Sequence, residues 1–145
     1  ELLVEPGRFF VAASGVLLTR VLYRKQSAAK AYVICDAGMT ELLRPSHYDA
    51  FHAIEAVAPR PGAFTADVVG PVCESADFLA RERALEARPD GLLALMSAGA
   101  YSMVMSSNYN TRPRAAEVIV DGDKAFVVRE RERIEQLFAG ERVLP

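Results

Sequence analysis

The stretch AEVIVDGDKAFVVRERE (116–132) sets two β-branched runs on either side of Asp121-Gly122-Asp123. Two such runs joined by a short Asp/Gly break are a hairpin signature, and the pattern recurs in looser form along the chain. VLLTRVLYRK (16–25), AYVICDAG (31–38) and AFTADVVGPV (63–72) each end in charged or turn-forming residues and read as strands, as does Ala53–Val57. DGLLALMSAGAYSMVM (90–105) opens on a turn and reads as a buried strand that breaks at Gly99. Residues 9–20 carry a helical stretch that gives way to strand, DFLARERALE (77–86) fits a short helix or turn, and 132–139 a short amphipathic helix. In ELLRPSHYDAFHAIEAV (41–57) Pro45 forbids one continuous helix, and Leu42–Arg44 reads as the close of a short turn. Many short strands with Gly, Pro and Asp turns imply a mainly β fold, a barrel or sandwich with helices at its edges.

With 145 residues, about half of them hydrophobic and a quarter charged, the chain is one globular domain's worth of sequence. A net charge of −2 disfavours nucleic-acid binding, and no apolar run approaches the roughly 20 residues that span a bilayer. Cys35 and Cys73 form no metal-ligand pattern with His47 and His52, so no metal site is expected. The absence of a signal sequence and of a cysteine-rich pattern points to a cytoplasmic protein with two free thiols. The chain opens on ELLVEPGRFF, where Leu2–Val4 looks like a strand without a preceding partner, as in the downstream part of something longer.

Four stretches carry more chemistry than folding requires. EPGR (5–8) puts the Glu5 carboxylate, the Gly7 amide and the Arg8 guanidinium in one corner able to meet an anion. LLRPSHY (42–48) spaces Arg44 and Tyr48 as a clamp and a phenol. CES (73–75) offers a thiol proton at Cys73 with Glu74 beside it. GAYSMVMSSNYN (99–110) sets Tyr101 among serines and asparagines in a loop suited to lining a ligand. Each stretch alone also reads as an ordinary surface corner, core-edge tyrosine, buried thiol or polar loop.

Taken in order, EPGR, CDAGMTELLRPSHYDAFH (35–52), VVGPVCESADFLA (68–80) and AGAYSMVMSSNYNTRPRAAEVIVDG (98–122) closely resemble the C-terminal portion of the diaminopimelate decarboxylases, which are fold-type III pyridoxal 5'-phosphate enzymes. The resemblance implies a Greek-key-like β-barrel domain over residues 13–145, with residues 1–12 closing a (β/α)8 barrel whose remainder lies outside this sequence. It implies cofactor contacts from Glu5, Gly7, Arg8 and Tyr101, and substrate contacts from Arg8, Arg44, Tyr48, Glu74 and Tyr101. Cys73 matches the proton donor, which reaches the partner subunit's active site in a two-fold homodimer. Neither Lys25, Lys30 nor Lys124 sits in the family's cofactor-lysine motif, so this stretch alone is expected to be inactive. Ser102 stands where the family usually has glycine. The rival readings are a related decarboxylase of ornithine or arginine, and a non-catalytic dimerisation or interaction domain.

Overall fold

The computed structural model describes residues 1–144. Its main body is a six-stranded sheet in the order β3-β6-β1-β2-β4-β5, formed by β1 (Leu17–Gln26), β2 (Ala31–Cys35), β3 (Ile54–Ala56), β4 (Phe64–Val69), β5 (Phe78–Leu85) and β6 (Leu92–Leu95). All neighbours run antiparallel except β2 and β4, which are parallel. The edge strands β3 and β5 approach each other, so the sheet curls into a nearly closed barrel. β7 (Glu117–Asp121) and β8 (Lys124–Arg129) form the separate hairpin expected at Gly122, whose φ of 60° suits a glycine turn. The short helices are α1 (Gly7–Val11), α2 (Arg44–Tyr48) and α3 (Ile134–Leu137).

The barrel interior is filled by Val21 of β1, Val33 of β2, Val68 of β4, Leu79 of β5 and Leu93 and Leu95 of β6, with Leu42 from the turn before α2, and Ile54 and Ala56 of β3 pack partly buried against them. Branched side chains on alternate strand positions do this because successive residues face opposite sides of the sheet. Leu79→Ala, which empties a fully buried site, is expected to cost about 2–5 kcal/mol of stability. A urea titration checks this, and a loss below about 1 kcal/mol would mean that Leu79 is not packed as described.

Residues 77–86 depart from expectation, since they form strand β5 rather than a helix or turn. Their Ala, Arg, Glu and Leu content favours helix locally, but pairing with β4 prevails, as tertiary context often does over propensity. The strand carries a bulge at Glu82, whose φ is 50° and whose amide donates to the Asp67 carboxylate at 2.7 Å. Pro45 is also more than a helix breaker: in the first turn of α2 its fixed φ suits a helix start, so the expected turn becomes a helix. β6 ends at Leu95, before Gly99. Residues 1–6 lie in neither helix nor strand, and Leu2–Glu5 join no ladder with any strand among the described residues. Leu2, Leu3 and Val4 are exposed there, as are Phe9 and Phe10 of α1.

Candidate functional site

The α1 segment and the Tyr101 loop are tied together by backbone alone. Ala98 N–H donates to Gly15 O at 2.8 Å and Gly99 N–H to Ala12 O at 3.0 Å. A Cβ at Gly99 would fall 2.0 Å from Val11 O, so only glycine permits this approach. As a result Glu5, Arg8, Phe9, Ser97 and Tyr101 line one open hollow of about 440 Å³. Gly7 starts α1 with open space where a Cβ would stand.

Tyr101 adopts a left-handed φ of 67°, an uncommon conformation for a non-glycine residue that turns the chain sharply after the strand. Ser102 follows at φ −64°, ψ −66°, an ordinary right-handed conformation, and its hydroxyl donates to Ala98 O at 2.6 Å. A serine therefore sits here without backbone strain.

Arg44, at the start of α2, extends towards this loop. Its guanidinium carbon lies 4.9 Å from the Tyr101 ring centre and 5.4 Å from that of Tyr48. Both are cation–π distances, so two aromatic faces hold the charge in place. No carboxylate among the described residues pairs with Arg44 or with Arg8. Both cations are thus free to meet an anion from outside the chain.

Cys73 and Glu74 stand elsewhere. They lie exposed in the loop 70–77 between β4 and β5, and they share no hydrogen bond, ion pair or hollow with the Arg44 and Tyr101 group. The Glu74 carboxylate accepts only the nearby Ala76 amide, at 3.3 Å. Cys35 is the other free thiol, but it is buried in the barrel, and burial pushes its pKa up to about 12. A thiol so placed is inert packing, which leaves Cys73 as the accessible one.

The structure adds polar groups that the sequence did not single out. The turn 38–41, between β2 and α2, is a junction. Glu41 caps it by accepting Gly38 N–H and Thr40 Oγ1 at 2.8 Å each. Arg112 reaches it from the far segment, donating to Asp36 O at 2.6 Å and to Thr40 Oγ1 at 3.2 Å. The Ser107 amide donates to Thr40 O at 3.0 Å. Further along, Glu132 accepts from the Arg114 amide and from Asn108, and these bonds hold its carboxyl below the usual carboxylate range. SSNYN-RPR and CDAGMTELLRPSHYDAFH mark some of these residues by type alone, since burial and partners across tens of residues leave no periodicity.

The sequence pattern described as "Pyridoxal-dependent decarboxylase, C-terminal sheet domain" matches residues 9–99. The diaminopimelate decarboxylase of Pseudomonas fluorescens is 55% identical over 145 residues, covering 99% of this chain and 35% of that protein. That of Vibrio cholerae is 51% identical, covering all of this chain and 35% of its own length. The crystal structure of the Helicobacter pylori diaminopimelate decarboxylase complexed with L-lysine superposes with a TM-score of 0.86 at 47% identity, over 92% of this chain and 33% of that one. The chain thus spans about a third of the length of the relatives it matches. With a curled sheet, a matched sequence pattern and close relatives over nearly its whole length, this chain belongs to the C-terminal sheet domain family of the pyridoxal-dependent decarboxylases.

Proposed function

We propose that this chain is the C-terminal part of a pyridoxal-phosphate enzyme that decarboxylates meso-2,6-diaminopimelate to L-lysine and CO2, working in the cytoplasm as a homodimer with composite active sites. The observation that carries the reading is the division of the candidate residues. Arg44, Tyr48 and Tyr101 converge beside the hollow of Glu5 and Arg8, whereas Cys73 and Glu74 stand apart on an exposed loop. A site shared across a two-fold axis brings such halves together. Residues 1–12 belong with the (β/α)8 barrel in this reading and residues 13–145 form the sheet domain. The exposed Leu2, Leu3, Val4, Phe9 and Phe10 are then the surface the barrel covers.

The hollow's donor set fits the cofactor: a carboxylate for a pyridinium N–H, a guanidinium for a phosphate, and a phenol beside them. When bound, pyridoxal phosphate supplies an electron sink for the pair left behind by CO2. Glu5 holds the proton on the ring nitrogen, and Gly7 and Arg8 receive phosphate and substrate. Arg44 binds the distal carboxylate of the substrate with Tyr48 as hydrogen-bonding partner, and Glu74 of the other subunit binds the distal ammonium. Cys73, also from the other subunit, delivers a proton to Cα. The L-lysine held by the Helicobacter pylori relative is the product this scheme requires.

The test is CO2 release by the full-length, cofactor-loaded protein from meso-2,6-diaminopimelate, ornithine and arginine. Turnover of diaminopimelate alone is expected. Comparable turnover of ornithine or arginine would overturn the substrate assignment, and no release from any of the three would favour a non-catalytic interaction domain.

A further inference from the structure

The loop that carries Cys73 and Glu74 has no regular secondary structure, yet one buried carboxylate organises it. Asp77 is 4% exposed and meets no cation within ion-pair distance among the described residues. Its Oδ2 accepts Val72 N–H at 2.6 Å, directly before Cys73, and its Oδ1 accepts Met39 N–H at 2.6 Å, from the turn that leads into α2. Its own carbonyl accepts Gly70 N–H and its own amide donates to Glu74 O, both at 3.0 Å. Four hydrogen bonds from one residue therefore close the loop 70–77 and attach it to the turn 38–41.

The surroundings are shaped around that carboxylate. A Cβ at Gly38 would fall 2.4 Å from Asp77 Oδ1, and one at Gly70 would fall 2.4 Å from Oδ2 and 2.5 Å from Gly38 Cα. Both glycines are needed because two backbone segments close on the carboxylate from opposite sides. The turn 38–41 leads within three residues to Arg44, so one buried group links the element bearing Cys73 and Glu74 to the element bearing the proposed substrate clamp.

We infer that Asp77 is a positioning residue that holds Cys73 and Glu74 in register with the Arg44 turn, through the paired Val72 and Met39 amides. The inference rests on the function proposed above. An asparagine at 77 has one oxygen for two amide donors, so one N–H then faces an NH2 group and the loop loses one tether.

The experiment uses the full-length, cofactor-loaded protein and compares Asp77→Asn, Gly38→Ala, Cys73→Ala and, as a destabilised control, Leu79→Ala. Steady-state turnover of meso-2,6-diaminopimelate is read per folded active site, together with the alkylation rate of Cys73 by N-ethylmaleimide. Asp77→Asn is expected to lower kcat about tenfold, below the about 10²-fold of a 1 Å misplacement, because the loop keeps its other bonds. It is also expected to raise KM and change the alkylation rate. Gly38→Ala, which displaces the carboxylate without altering it, should do the same and decides the matter if Asp77→Asn does not fold. Leu79→Ala should lose stability alone, which separates positioning from general destabilisation. Unchanged kcat, KM and alkylation rate in folded Asp77→Asn or Gly38→Ala would overturn the inference. If Cys73→Ala itself keeps full kcat, the donor role fails instead, and the alkylation rate still decides whether Asp77 sets the loop.

Discussion

Cys73→Ala in the full-length protein lowers kcat for meso-2,6-diaminopimelate by about 10²–10⁴-fold, the range by which a positioned general acid accelerates proton transfer. In the proposed scheme the loss falls on kcat, because the thiol would deliver its proton after CO2 has left and takes no part in substrate binding. No other thiol of this chain can substitute. Cys35 lies in the barrel interior with its pKa pushed up to about 12, and it is buried on the strand that pairs with β1 and β4. The variant should fold normally, since Cys73 is exposed and takes no part in the core. Rapid-quench measurement of lysine formation checks the prediction, and an unchanged kcat would remove Cys73 from the proton transfer.

How far the sequence anticipates these properties depends on whether each rests on local or distant contacts. The β7–β8 hairpin was readable because Gly122 and its flanking β-branched runs are adjacent in the chain. β1, β2 and β4 were readable for the same reason, from their branched side chains and their turn endings. β5 was not. ARERAL reads as helix in isolation, and only the β4 edge, with Asp67 capping the bulge at Glu82, makes it a strand. The site divides in the same way. Cys73, Arg44 and Tyr101 are singled out by motifs whose residue types are specific, and the structure brings Arg44 to both tyrosines. Asp77 reads as the start of a helix, because the turn its carboxylate meets, at Met39 N–H and beside Gly38, lies 38 and 39 residues upstream, while only its bonds to Val72, Gly70 and Glu74 are local. Local pattern carries no information about a contact of that span.

Removing the proposed distal clamp tests the other half of the proposed site. Arg44→Ala should reduce kcat/KM for diaminopimelate about 10²-fold, since charge-assisted hydrogen bonds to a carboxylate contribute about 3 kcal/mol and 1.4 kcal/mol is a factor of ten. Most of the loss should appear in KM, because the distal carboxylate lies away from the reacting carbon and its binding is the same before and during reaction. The stacking of Arg44 on Tyr48 and Tyr101 is lost too, so the two rings lose their shared partner. An unaltered kcat/KM would mean that the substrate's second carboxylate binds elsewhere, as a decarboxylase of ornithine or arginine would have no use for this arginine. Mixing the two impaired variants, assayed at a substrate concentration well below the raised KM of Arg44→Ala, then tests whether the site is composite. If Arg44 and Cys73 act from opposite subunits, each heterodimer of Arg44→Ala with Cys73→Ala keeps one site with both residues intact. Random exchange makes half of the dimers heterodimers, so roughly a quarter of wild-type activity should return. If both residues served one site within a single chain, every site in the mixture would lack one of them, and no activity would return on mixing.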